Sequence, residues 1–282
     1  MNYVLYNPLA QAGNGKNNFE AAKDEFTKAL GGEFTTVDLV EYDPDEFFKK
    51  IDKKDKILIV GGDGTLNVFA NNIKAYGVEC EMYYYKGGNG NDFLEDIKES
   101  DDQKLVYLNP YLKRLPRITV NGMTRYYING IGYGIDGMVC EVADKLKAQG
   151  KKNINYASLS IKLLLHGYKC PNAIAVVDGT EYRFNKVWLC SAMNGRFYGG
   201  GMKIAPGQDR LGESLSLSVI YNAGKLRTLM IFPKIFKGEH VRNQKMSKII
   251  TGRKITVTFT HPMALQIDGE VVSNVTTYTV EI

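Results

Sequence analysis

The sequence predicts an α/β N-terminal domain with a parallel sheet, residues 1–109, followed by a mostly-β C-terminal sandwich domain, residues 110–282. Three observations predict this. In the first part, short apolar runs alternate with segments whose apolar residues recur at helical spacing, as in a parallel sheet with crossover helices. From about Pro110, hairpin signals and short alternating strands take over. The charge divides at the same place. Residues 1–109 hold 12 Lys, no Arg and 20 acidic residues, a net of −8, whereas the remainder holds 24 basic and 11 acidic residues, a net of +13.

Taken in order, Tyr3–Tyr6 is a short strand ending at Asn7-Pro8. The loop through Gly13-Asn14-Gly15-Lys16 leads to a helix from about Asn17 to Leu30. Phe34–Val40 is a second strand, and Asp43-Pro44-Asp45 caps a helix over Glu46–Ile51, with the capping carboxylate and the first-turn proline in their favoured places. Ile57–Val60 is a third, fully apolar strand that breaks into Gly61-Gly62-Asp63-Gly64-Thr65, after which Leu66 to Ile73 is helical. Cys80–Tyr85 is a fourth strand and runs into a second glycine loop, Lys86 to Asp92. Beyond Pro110, Arg117–Val120 turns through Asn121-Gly122 into Thr124–Ile128, a strong hairpin signal. A helical insertion is expected from about Val139 to Leu165, and another helix over Leu226–Gly238, interrupted near Pro233. The remaining strands are Ala173–Val177, Lys186–Ala192, Leu215–Tyr221, Lys254–Phe259, Ala264–Ile267 and Val275–Ile282. The two domains are expected to pack with a cleft between them.

A glycine-rich turn between a strand end and a helix start gathers backbone N–H groups at the positive end of a helix dipole, which suits phosphate. Asp63 would repel a bare phosphate, so its presence points to a divalent cation or to proton transfer. A second acidic loop, Gly88-Asn89-Gly90-Asn91-Asp92, follows at the next strand end, and Asp268-Gly269-Glu270 comes late in the chain. Phosphoryl transfer needs such parts: backbone donors, carboxylates for Mg²⁺, and a proton acceptor near the attacking oxygen. The isolated Cys80, Cys140, Cys170 and Cys190 have no paired spacing and read as reduced thiols. The three histidines are too scattered for a metal cluster or triad. No apolar window is long enough to span a bilayer, so the expected location is cytoplasmic or peripheral. The basic second half suits an anionic partner, either a membrane surface or nucleic acid.

The motifs Asn7-Pro8, Gly61 to Asn67, Gly88 to Asp92, Asn194-Gly195 with Gly199-Gly200-Gly201, Ala205-Pro206, Lys237 to His240 and Asp268-Gly269-Glu270 occur in one order. That order resembles the bacterial diacylglycerol kinases and the related lipid and sphingoid kinases. The first glycine motif alone is shared with NAD kinases and phosphofructokinases; the second loop and the late Asp-Gly-Glu select the lipid-kinase branch. The resemblance implies an NAD kinase/diacylglycerol kinase-like fold and an ATP site formed by Asn7, Gly61, Gly62, Asp63, Gly64, Thr65, Asn67, Gly88, Asn89, Gly90, Asn91 and Asp92. It implies ATP and Mg²⁺ as cofactors, Asp63 in the phosphate centre, and Asp268 or Glu270 as the acceptor of the lipid hydroxyl proton. The lipid would lie near Phe197–Met202. Where the family has a structural Mg²⁺ ligand, Gly212 stands here, leaving Asp209 and Glu213 as substitutes. The implied partner is a lipid at the anionic inner membrane face, with no nucleic acid and a homodimer as an option. The rivals are an NAD kinase-like enzyme acting on a soluble nucleotide and a nucleotide- or lipid-binding protein without catalysis.

Overall fold

Strand β3 (Lys56–Gly61) is the centre of the first sheet, and its composition says why: every residue after Lys56 is buried. A strand covered on both faces reads as a continuous apolar run rather than an alternating one. The computed structural model describes residues 1–10, 14–88, 90–151, 154–222 and 224–282, in two units, Met1–Leu115 and Pro116–Ile282. In the first unit, β3 lies between β1 (Asn2–Tyr6) and β4 (Glu81–Lys86), with β2 (Thr35–Asp38) beyond β1 and β5 (Leu105–Tyr107) beyond β4. The first four strands are parallel.

These are the four strands expected of a parallel sheet; a fifth, which the sequence reading did not include, runs antiparallel to β4. The helix between them, Asp92–Ile97, has only six residues. A parallel crossover usually packs a helix back across the sheet face, and six helical residues rise only about 9 Å. The chain therefore returns alongside β4 instead. The single helix expected over residues 17–30 is two, α1 (Gly15–Ala21) and α2 (Lys23–Leu30), broken at Ala22 (φ −106°). Phe19, Ala22, Phe26 and Leu30 nevertheless pack on one face of the sheet, against Val4, Leu58, Val60 and Tyr85. On the other face, Tyr3 meets Phe47 edge-on at 5.3 Å. Helix α3 (Pro44–Lys49) runs two residues earlier than the expected 46–51 but has the expected cap, the Asp43 carboxylate accepting Asp45 N–H at 2.8 Å. Helix α4 (Asp63–Tyr76) follows β3 and ends at Gly77 in the left-handed region; α5 is Asp92–Ile97, and α6 (Asn109–Lys113) closes the unit.

The second unit is one ten-stranded sheet folded around an apolar core, the antiparallel sandwich the sequence leads one to expect. Its hairpin, β6 (Arg117–Val120) and β7 (Met123–Tyr126), turns at Asn121 (φ 47°) and Gly122 (φ 78°), the two left-handed residues of a type I′ turn. Strands β8 (Gly130–Gly134), β9 (Ala173–Val177), β10 (Thr180–Phe184), β11 (Leu189–Met193), β12 (Leu215–Ile220) and β13 (Ser247–Gly252) follow. The two strands expected at 254–259 and 264–267 are the halves of one, β14 (Lys254–Ile267). Its first half pairs with β9 and its second with β8, with a register break after Thr258. This change of partner lets one sheet form two layers. Strand β15 (Glu270–Glu281) completes the unit. The helical insertion is α7 (Ile135–Ala148) and α8 (Tyr156–His166), and α9 (Lys225–Phe236) carries Pro233 within it. Among the described residues, no helix is long and apolar enough to cross a membrane.

Candidate active site

In the first unit, the carboxyl ends of the neighbouring strands β3 and β4 bring the two glycine loops together. Gly87 N–H donates to Gly61 O at 2.8 Å, and Asp63 N–H donates to Gly90 O at 3.1 Å. The glycines are required by this approach. A Cβ on Gly88 would lie 2.4 Å from Gly62 Cα, and one on Gly62 would lie 2.8 Å from Gly90 O, distances that real side chains do not adopt. Asp63 locks the pair: Asp92 N–H donates to its Oδ2 at 2.8 Å and Phe93 N–H to its Oδ1 at 3.0 Å. Its charge thus sits at the start of α5, where a carboxylate is favoured. Asn91 Nδ2 donates to Gly88 O at 2.6 Å, and the buried Tyr84 hydroxyl lies 2.8 Å from Gly61 O. Asn89 lies outside the described residues, as does Gly13 of the first loop.

Gly64 is different, because a Cβ there would meet nothing within 4 Å. The first turn of α4, at Gly64 and Thr65, therefore opens away from the packed loops, and it is where an anion could approach backbone N–H groups. Thr65 packs its side chain over Gly61. Asn67 is buried, with its Oδ1 accepting from Asn71 Nδ2 at 3.2 Å. Asn7 uses its Oδ1 to accept Leu9 N–H at 2.9 Å. Asp92 is buried at the first position of α5.

In the second unit, Asp268 and Gly269 form the β14–β15 turn, both with positive φ (47° and 95°). The Asp268 carboxylate accepts three backbone N–H groups, from Ile128 at 2.5 Å and from Asn129 and Gly130 at 2.9 Å each. Glu270 points elsewhere, to an ion pair with Arg125 of β7, its side chain half exposed. The segment that grips Asp268 is itself fixed by Asn194, from the motifs described above, and by Arg210, which belongs to none of them. Arg210 donates to Ile128 O at 2.6 Å and to Asn129 Oδ1 at 2.8 Å, and Asn194 Nδ2 donates to Ile128 O at 2.8 Å.

Asp209 and Glu213, the residues suggested for a metal, lie in the turn before β12. Among the described residues, no group of three or more His, Cys, Asp or Glu side chains could hold a metal ion. The Asp209 carboxylate accepts Leu211 N–H at 3.0 Å, closing its own turn. The residue of this stretch that reaches the Asp268 segment is Arg210.

An apolar pocket lies between the sheet and helices α7, α8 and α9. Ile135, Val139, Leu164, Trp188, Ile231 and Ile235 line it, and Asp136 is the one carboxylate in its wall. Burial pushes the Asp136 carboxyl up to about 6, offset in part by hydrogen bonds from Gln266 and Tyr198. Met202 belongs to the pocket, whereas Gly199, Gly200 and Gly201, all with positive φ, make a tight loop closed by Tyr198 and Met202. The sequence therefore pointed near the pocket but missed Asp136. A carboxyl with a raised folded-state pKa contributes stability present at acid pH and lost as pH rises through about 6. Asp136→Asn should therefore gain stability relative to wild type between pH 4 and pH 7.5, on the order of 1–3 kcal/mol, read by urea unfolding at both values. An equal difference at the two pH values would contradict it.

Comparison with known proteins identifies the family of both units. The model of the diacylglycerol kinase catalytic domain matches residues 2–110, and that of the YegS C-terminal NAD kinase beta sandwich-like domain matches residues 129–281. The second match alone covers more than half of the chain. The chain belongs to the bacterial diacylglycerol and lipid kinase family. Among members of this family, a Mycobacterium tuberculosis diacylglycerol kinase (strain CDC 1551 / Oshkosh) is 25% identical over 212 residues, 72% of this chain. The match spans 66% of that kinase, just under two thirds of its length. A Staphylococcus aureus protein (strain MRSA252) named as a candidate lipid kinase is 25% identical over 284 residues, 92% of this chain and 88% of its own. A crystal structure of a diacylglycerol kinase from Bacillus anthracis shares the fold, with a TM-score of 0.69 at 19% identity, over 99% of this chain and 93% of that one.

Proposed function

We propose that this chain is an ATP-dependent lipid kinase that transfers the γ-phosphate to the hydroxyl of diacylglycerol or a similar lipid. The observation that carries the lipid reading is the pocket of the second unit. It offers an acyl chain a wall of aliphatic and aromatic side chains with a single carboxylate. A soluble dinucleotide would need many polar partners, and an apolar wall leaves its polar groups unpaired. ATP use follows from membership of a kinase family. In this reading the open first turn of α4 takes phosphate oxygens, and Asp63 keeps both loops in register. Asp268 is the better candidate for the proton acceptor, being fixed in place, and Glu270 the lesser. Mg²⁺ commonly enters such sites with one or two carboxylates and the nucleotide phosphates rather than in an all-protein cage. Asp63 is the carboxylate at the loops that would meet it, and the ion would neutralise phosphate charge.

Trp188 is the single tryptophan of the chain and lines the pocket, so its fluorescence reports what enters. A diacylglycerol with brominated acyl chains should quench it strongly, and NAD should not. Quenching by neither would remove the pocket from the lipid account. The same reading favours action at an anionic membrane surface. Helices α8 and α9 contain no acidic residue, and Leu226 and Met230 of α9 are exposed (75% and 65%) beside Lys225, Arg227, Lys234 and Lys237. Each cation near an anionic surface contributes about 1 kcal/mol, an effect that salt screens. Reversing these four cations to Glu should weaken binding to anionic vesicles at low salt and leave ATP binding unchanged. Wild-type protein that ignores such vesicles would overturn the membrane reading.

A further inference from the structure

We propose that Gln266 is a positioning residue through which Asp136, in the pocket wall, sets the geometry of the Asp268–Glu270 turn. The proposal rests on the reading above that the turn serves phosphoryl transfer and the pocket takes the lipid. The Gln266 side chain is buried at 2% exposure and spans the distance between the two. Its Nε2 donates to Asp136 Oδ2 at 2.9 Å, and its Oε1 accepts Gly269 N–H at 2.6 Å. An amide is planar, with its donor and acceptor at fixed separation, so a displacement of Asp136 at one end is felt at Gly269 on the other. Gly269 is bonded directly to Asp268, whose φ of 47° and three backbone donors leave the turn little freedom to absorb a shift elsewhere.

The sheet makes room for this link. Gly132 pairs with Gln266 across β8 and β14. A Cβ on Gly132 would lie 1.6 Å from Asp136 Oδ2 and 2.7 Å from Gln266 Nε2. Any other residue at 132 would drive the carboxylate and the amide apart. Asp136 has a second neighbour in Tyr198, whose hydroxyl lies 2.9 Å from Ser191 Oγ. Losing Gln266 therefore leaves Asp136 partly satisfied but cuts the side-chain hydrogen bonds that run from Asp136 to Gly269.

The test compares wild type, Gln266→Met, which keeps the length and loses both polar ends, Asp136→Asn, and the double variant. With dioctanoylglycerol as acceptor, Gln266→Met should lower kcat about ten- to hundred-fold, the loss typical of a misplaced reacting group. KM for ATP should stay within about twofold. The double variant should be no worse than the poorer single one, because both break one chain of contacts. Additive losses, or an unchanged kcat in Gln266→Met, would overturn the proposal. A second readout is the Gly269 amide in NMR spectra of the whole chain without substrate. Its resonance should move on Asp136→Asn in the wild-type background and stay still when the same change is made in Gln266→Met. Equal movement in both backgrounds would overturn the link. Inactivity of wild type on every lipid, with the amide responding as described, would instead sink the lipid reading and leave the link standing.

Discussion

Asp268→Asn is expected to lower turnover by roughly two to four orders of magnitude, the range for loss of a general base. Two physical effects coincide at this residue. The carboxylate that would take the hydroxyl proton becomes an amide. In addition, the three N–H donors of Ile128, Asn129 and Gly130 converge on a group that now offers one oxygen and an NH₂. The amino group would face a donor, leaving at least one buried N–H without an acceptor, which costs about 1–3 kcal/mol. The variant should therefore unfold at lower urea as well as turn over slowly, with ATP affinity little changed. Glu270→Gln should behave differently. Its carboxylate is half exposed and paired with Arg125, and a surface ion pair contributes only about 0–1 kcal/mol. A loss of less than about tenfold is expected from it. Kinetics of the two purified variants decide the matter, and a greater loss from Glu270→Gln would reverse the assignment.

Asp63→Asn is expected to cost at least about a thousandfold in turnover, combining loss of charge at a metal-assisted centre with a misplaced loop. The carboxylate accepts Asp92 N–H with one oxygen and Phe93 N–H with the other. An amide satisfies one of these and turns its own donor toward the second, so the glycine loops lose their common register. The unit should still fold, because Val4, Phe19, Phe26 and Leu58 of its core are untouched by the substitution. Circular dichroism should therefore be close to wild type while labelled-phosphate transfer collapses. Near-normal transfer would show that Asp63 only caps α5.

The first unit was legible because its signals are local. The apolar run of β3 and the Asp43 cap each follow from a few adjacent residues, as does the Asn121-Gly122 turn of the second unit. Where the structure departed from the sequence reading, the cause lay in contacts between distant segments. Strand β8 was hidden by Gly130, Gly132 and Gly134, which lower strand propensity but are needed beside Met193, the Asp136–Gln266 pair and Trp188 O. Asp136 was missed because it sits just past that unrecognised strand, on the first turn of α7. Gln266 and Arg210 carry no motif of their own. Their importance comes from the groups they bridge across 130 and about 80 residues of chain. The glycine loops were recognised for phosphate, yet Gly62 and Gly88 are demanded first by their contact with each other. Gly64 alone keeps the open space an anion needs.

The central claim is that this chain moves phosphate from ATP to a lipid. The measurement that tests it most directly is transfer of label from [γ-³²P]ATP, with and without Mg²⁺, to diacylglycerol in anionic mixed micelles and, in parallel, to NAD. The account predicts Mg²⁺-dependent labelling of the lipid that Asp63→Asn and Asp268→Asn abolish, and no labelling of NAD. Labelling of NAD with none of the lipid, or of neither, would contradict it.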